Sequence, residues 1–169
     1  MQEFAPREGE QELPEDPAAM AGDAHVVFIA TVRSAWVERG SCPKNMREAR
    51  ERNVPAMVEV DARYRAGLDG LDRASHVILL SWLGFAPRNL IVQKPRQAPA
   101  ARGTFALRSP ARPNPIGLHV VRLLALDVER GRLEIDGIDV LDGTRLIDIK
   151  PYYASTDAIP EALTGSAHA

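Results

Sequence analysis

Apolar residues along this chain come in short runs that mostly alternate with polar ones, and glycine or proline separates nearly every run from the next. His25–Val32 (HVVFIATV) is rich in β-branched residues and reads as a first buried strand. Ala56–Tyr64, alternating around Met57, Val58 and Val60, is a second strand, and Arg65–Arg73 is a glycine-punctuated turn or short helix. Ser75–Leu83 (SHVILLSWL) is the most apolar run, too short for a long helix and suited to a central strand, with His76 at its start expected to pack rather than to bind. Leu90–Gln93 is a short strand. Leu118–Val128 is a long one, joined through Glu129-Arg130-Gly131 to Leu133–Leu141. In that last run the apolar phase slips at Gly137, with Leu133 and Ile135 before it and Ile138 and Val140 after. The slip predicts a β-bulge whose backbone groups are free to meet a ligand. Asp142-Gly143 is a two-residue hairpin signal, Thr144–Ile149 returns as a strand, and a short helix or loose end follows Ser155-Thr156-Asp157.

One segment reads as a capped helix. Asn45 is placed to cap a charged helix through Arg52, with Glu48 at the capping-box position. The tally of about seven or eight short strands, few helices, no βαβ alternation and no repeat predicts a mainly β chain. The expected fold is a single antiparallel β-barrel, one sheet closed on itself, with a few short helices.

Composition narrows this. A chain of 169 residues and 18.5 kDa suits one domain with a real core. Residues 1–24, rich in Glu, Pro and Ala, read as an extended arm that orders only against a neighbour; 25–157 form the barrel domain and 158–169 a tail. The net charge of −2 makes the chain no polycation. Any nucleic-acid contact must come from a local patch, for which Arg47, Arg50, Arg52, Arg88, Lys94, Arg96 and Arg102 are available as a rim. The charged helix is by itself an ordinary solvated face. The single cysteine, Cys42, excludes an internal disulfide and a cysteine zinc cage; with no histidine close in sequence it reads as a buried, passive thiol rather than a nucleophile. No metal-ligand spacing, Walker loop, nucleophile elbow or glycine-rich dinucleotide turn occurs. No apolar run approaches the roughly 18 residues that cross a bilayer, and the first residues lack the apolar core of a signal peptide. The expectation is a soluble cytoplasmic protein with neither membrane nor metal partners.

The candidate chemistry lies in Ala106–Gly117, ALRSPARPNPIG. Its prolines fix their own φ and restrict the residues before them, so Ala111, Arg112 and Asn114 stand on a nearly rigid backbone. Arg108 and Arg112 carry planar, permanently charged forks suited to a carboxylate or phosphate. Two readings stand: a preorganised loop for a small anionic or zwitterionic ligand, or a rigid surface turn with solvated arginines.

Three stretches, in order, resemble signatures of the TsaA-like (YaeB, TrmO) family. FALRSPARPNPIGLHVVRL is similar to ATRSPFRPNPIGLS. IDVLDGTRLIDIKPYYASTD is similar to DLLDGTPVLDIKPYLPYAD, and GLDGLDRASHVILLSW to GLEGFSHIWLLF. The likeness runs from about Val26 to Asp157. It implies a single-sheeted β-barrel, S-adenosylmethionine (SAM) as cofactor, a homodimer, and methylation of N6 of threonylcarbamoyladenosine beside the anticodon of threonine tRNA. Carried over by position, it implies that Arg108, Arg112, Leu118 and the Gly137-Ile138-Asp139 segment hold the cofactor, with Pro43-Lys44-Asn45 approaching it. Alignment of a sulfonium with an attacking nitrogen supplies much of a methyl transfer. No sequence feature names a base, for which Asp139 and Asp142 are the candidates. Asp142 reads first as the turn former, and Asp148 as the partner of Lys150.

Overall fold

The alternation of apolar and polar residues closes into a barrel. The computed structural model describes residues 6–20, 25–95 and 98–163. In chain order the regular elements are β1 (Gln11–Glu12), α1 (Pro17–Met20), β2 (Ala30–Arg33), α2 (Met46–Arg52), β3 (Ala56–Val60), β4 (His76–Trp82), β5 (Leu90–Gln93), β6 (Arg102–Gly103), β7 (Ile116–Asp127), β8 (Arg132–Ile135), β9 (Arg145–Pro151) and α3 (Ala154–Asp157). Strands β2-β3-β8-β7-β4-β9 form a closed barrel, every pairing antiparallel, with β9 returning to β2. A separate small sheet, β1-β5-β6, carries part of the arm.

Each barrel strand sends fully buried apolar side chains inward: Val32, Val58, Val77 and Leu79, Val121, Leu133 and Ile135, and Leu146. Each contributes about 1.5–3 kcal/mol of transfer free energy. The period-two burial along β4 and β8 matches the alternation in their sequences. β4 is the central strand expected, flanked by β7 and β9. Helix α2 is capped by Asn45, whose Oδ1 accepts from the Glu48 N–H at 3.0 Å. The Glu48 carboxylate accepts from the Lys44 N–H at 2.9 Å, one residue earlier than a capping box would place it.

Several expectations are corrected. The first strand pairs only from Ala30, because its neighbour β3 gives way after Val60 to the 3-10 helix Ala62–Leu68; Val26 and Val27 before it are exposed. The run Leu133–Leu141 is not one bulged strand. β8 ends at Ile135, and residues 136–144 cross the end of the barrel, where Ile138 and Val140 plug the core instead of lining a strand face. That crossing is fastened to the segment after β2. The Trp36 indole N–H donates to the Ile138 carbonyl at 2.8 Å, the Ser34 hydroxyl to the Val140 carbonyl at 3.0 Å, and the Gly143 N–H to the Val32 carbonyl at 2.9 Å. Asp142-Gly143 therefore makes a turn within the crossing, with Gly143 at φ +78°, and not a hairpin, since β8 and β9 pair with different strands. The arm segment that is described lies on its own chain: Leu13 N–H donates to the Asn89 carbonyl and Lys94 N–H to the Glu10 carboxylate. Arg96, counted in the basic rim, lies outside the described residues.

Candidate ligand site at the open edge of β7

The first half of β7 pairs with β4 alone, from Ile116 to Arg122, and β8 joins only from Leu123 onward. The Leu83 N–H bonds the Pro115 carbonyl and the Leu123 N–H the Ser75 carbonyl, so Gly117, His119 and Val121 direct their backbone groups at β4. Leu118, Val120 and Arg122 direct theirs the other way, where no strand lies. Side chains take some of these groups. Arg108 donates to the Leu118 carbonyl at 3.2 Å and Arg50 of α2 to the Val120 carbonyl at 2.7 Å. The Arg122 N–H bonds Asp136 Oδ1 at 2.9 Å. The N–H groups of Leu118 and Val120 face an edge without a strand neighbour, which is the arrangement that accepts a planar hydrogen-bonding ligand.

The loop leading into this edge, Ala106–Gly117, is held from beneath. Gln93 donates to Thr104 Oγ1 and to the Ala111 carbonyl, and Thr104 donates to the Leu90 carbonyl; both side chains are buried. Pro115 is fully buried. Arg88 lies over the Trp82 ring and donates to the Pro113 carbonyl at 2.6 Å. Arg112 folds back onto the carbonyls of Thr104, Leu107 and Ser109. Its guanidinium is thus bonded to the loop's own carbonyls and holds the loop's shape. Arg108 is the fork left over: it lines a depression of about 230 Å³ together with Arg7 of the arm, Gln93 and Ser109. The arm thereby places a second guanidinium at this mouth, a feature invisible in the sequence because Arg7 is about a hundred positions away.

Asp139, in the crossing after β8, meets β7 through the side chain of His119. Its Oδ1 is 2.7 Å from His119 Nδ1, and His119 Nε2 is 2.8 Å from the Ser81 hydroxyl. Ser81 and His119 are buried, at 0% and 4% exposure, inside the barrel wall. Asp139 keeps 17% of its side chain exposed, and among the described residues its Oδ2 has no hydrogen-bond partner. Sequence reasoning missed Ser81 and His119. The available signals were a histidine where the family signature ends in serine and a serine inside the most apolar strand.

The remaining candidates divide. Gly137 packs on α2, where an added Cβ would stand 3.3 Å from the Ala49 carbonyl oxygen. Ile138 is fully buried and its carbonyl is taken by Trp36, so it serves the core. Pro43 is fully buried, and the Asn45 side chain is spent on its cap; of that segment the Lys44 side chain is exposed. Asp142 accepts from the Ser34 N–H at 3.1 Å and stands 3.9 Å from Arg33, the role of a turn former. Asp148 pairs with Lys150 at 2.6 Å as expected. Cys42 is buried and its thiol is pushed up by that burial, with Arg39 and Arg52 pulling against it and Asp139 adding to it. In the basic rim, Arg52 is tied to the Ser41 carbonyl and Glu48, and Arg47 faces Glu51. A different surface gathers five arginines: Arg33, Arg65, Arg130, Arg132 and Arg145 surround a depression of about 480 Å³ on the outer face of the barrel, with Glu59 and Asp61 between them.

Residues 31–158 match the family described as the tRNA-methyltransferase O N-terminal domain. The chain belongs to this family. An S-adenosyl-L-methionine-binding protein of Archaeoglobus fulgidus is 36% identical over 131 residues, covering 78% of this chain and 91% of that protein. The crystal structure of TrmO from Pseudomonas aeruginosa superposes with a TM-score of 0.66 at 34% identity, covering 84% of this chain and 62% of the other. A second TrmO crystal structure gives a TM-score of 0.69 at 34% identity, with 85% and 64% covered. This chain thus spans less than two thirds of the TrmO chains it superposes on.

Proposed function

We propose that the protein binds SAM at the open edge of β7 and transfers its methyl group to N6 of threonylcarbamoyladenosine next to the anticodon of threonine tRNA. The observation that carries the cofactor assignment is the combination at one edge of a free strand backbone, a guanidinium and a carboxylate. A methionine moiety has a carboxylate and an ammonium. Arg108 suits the first, Arg7 beside it being paired with Glu10 at 2.7 Å, and Asp139 Oδ2 suits the second. The N–H groups of Leu118 and Val120 suit the edge of an adenine. When bound, SAM supplies an electrophilic methyl on a sulfonium; the protein's part is to hold it still against the incoming nitrogen.

Membership of a tRNA-methyltransferase family supports the acceptor, and so does the arginine-lined depression on the outer face. Cross-strand register aligns Arg145, Thr31, Glu59 and Arg132 in one row over four strands, and Arg33, Arg65 and Arg130 flank it. Arg33 and Arg132 pair with Glu59, Arg145 with Asp61 and Arg130 with Asp127, and five arginines against these three carboxylates leave a net positive surface that suits phosphates of an RNA backbone. A homodimer is supported by the outward side chains of β7: Ile116, Leu118 and Leu124 are each 40% exposed or more, an apolar row that a second copy would cover.

Calorimetric titration with SAM tests the site. Arg108→Ala is expected to weaken binding more than tenfold while leaving the circular dichroism spectrum intact; unchanged affinity refutes the assignment. Nucleoside mass analysis of tRNA from cells lacking the gene tests the acceptor. Persistence of the methylated nucleoside there, or SAM binding with no methyl transfer to tRNA, refutes it.

A further inference from the structure

Ser81, His119 and Asp139 form a chain of hydrogen bonds that the cofactor assignment alone does not require. From its geometry we infer that His119 is a positioning residue. It clamps Oδ1 of Asp139, and Ser81 fixes the ring that does so, leaving Oδ2 aimed at the ammonium of an α-amino acid moiety in the ligand. The inference rests on the reading of Asp139 as a ligand contact.

The chemistry of the donors sets the direction of the chain. An ionised carboxylate only accepts, so His119 Nδ1 carries a proton toward Asp139 across the 2.7 Å gap. In the neutral ring Nε2 then accepts, and the Ser81 hydroxyl is the donor 2.8 Å away. Both ring nitrogens of His119, the Ser81 hydroxyl and Asp139 Oδ1 are partnered, and no buried side-chain polar atom among the described residues lacks a partner. The space for this is prepared. Gly117 lies directly across from Ser81 in the β4–β7 register, and a Cβ there would stand 2.6 Å from His119 Nε2 and closer still to the Ser81 hydroxyl. The β4–β9 register also shifts at Leu80/Ser81, beside the serine.

The side chain of Asp139 needs such a clamp. The crossing at 136–144 is tied down through the Ile138 and Val140 carbonyls, which fixes its backbone, while His119 is the one hydrogen-bond partner of the Asp139 carboxylate among the described residues. The order Ser–His–Asp is also that of a nucleophilic triad. That role is excluded by burial: Ser81 is 0% exposed in the barrel wall, out of reach of any substrate.

The test is calorimetric titration of the full chain with SAM and with 5′-methylthioadenosine, which keeps the adenosine and sulfur but has no ammonium. Asp139→Ala should weaken SAM at least tenfold. His119→Ala should weaken SAM about as much but methylthioadenosine less than twofold. His119→Asn, which keeps an N–H near the position of Nδ1, should recover most of the loss, and Ser81→Ala should fall between it and His119→Ala. Full SAM affinity in Asp139→Ala overturns the site assignment and the clamp with it. Weakened binding in Asp139→Ala but not in His119→Ala overturns the clamp alone. Equal weakening of both ligands by His119→Ala, or no recovery in His119→Asn, shows a merely structural histidine and also overturns it.

Discussion

Gly117→Ala measures how tightly the barrel interior is built around the Ser81–His119 pair. The added Cβ would stand 2.6 Å from His119 Nε2, where ordinary contact begins at about 3.4 Å, so the ring must retreat by roughly 0.8 Å. It has little room to do so, since His119 is 4% exposed and Ser81 0%. Overpacking of this kind costs about 1–3 kcal/mol. Parting the buried Ser81–His119 hydrogen bond costs a further 0.5–1.5 kcal/mol, roughly. The expected loss is therefore about 1.5–4.5 kcal/mol, which for a chain of this size lowers Tm by roughly 3–18 °C. Urea denaturation followed by far-ultraviolet circular dichroism reads it as a lower midpoint at unchanged slope. Pairing Gly117→Ala with Ser81→Gly removes the nearer obstacle, so the double variant should lose clearly less than the sum of the two single losses. A Gly117→Ala protein within about 0.5 kcal/mol of the parent would refute the claim that this glycine makes room for the pair.

Two further outcomes test other parts of the structure. The Cys42 thiol, buried and pushed up by that burial, should resist iodoacetamide at pH 8 in the native protein and react in urea; rapid stoichiometric labelling of the folded chain would contradict its placement. Burial opposes ionisation of Glu10, but the Arg7 side chain and the N–H groups of Arg7 and Lys94 prevail and hold its carboxyl down from 4.5 to about 2. Because the folded value is the lower one, the arm's docking is fully present above pH 4.5 and is lost as pH falls toward 2. Protection factors at residues 10–13, corrected for the intrinsic pH dependence of amide exchange, should fall in that window and Glu10→Gln should abolish the fall, whereas protection independent of pH below 4.5 would disprove it.

How far the fold and site could be read in advance depended on how local the physics was. Asn45 and Glu48 met as a cap because both groups lie within one turn. The strands β3 and β4 were legible because alternate burial leaves a period of two. Arg108 and Arg112 were legible as two forks on one stiff loop, but they were not distinguishable from each other, because which guanidinium turns onto the carbonyls of Thr104, Leu107 and Ser109 depends on the loop's path. The phase slip at Gly137 was real but misread. A slip signals only that the side chains change faces, and here they do so because the chain leaves the sheet and caps the barrel.

By itself the sequence determined the closed antiparallel sheet, the stiff arginine loop and the family. Each of these rests on residue spacing: strand alternation, proline-fixed torsions, and long motifs in fixed order. The tertiary structure alone decided that β8 joins β7 only from Leu123, which leaves the Leu118–Val120 edge open. It also decided that Ser81, His119 and Asp139 meet, and that Arg7 comes to lie beside Arg108. The reason is that the side-chain contacts join residues 20 to 101 positions apart and the open edge depends on where β8 leaves β7; both are set by barrel closure and register, and no local pattern in the chain encodes where a closing sheet will bring its distant members.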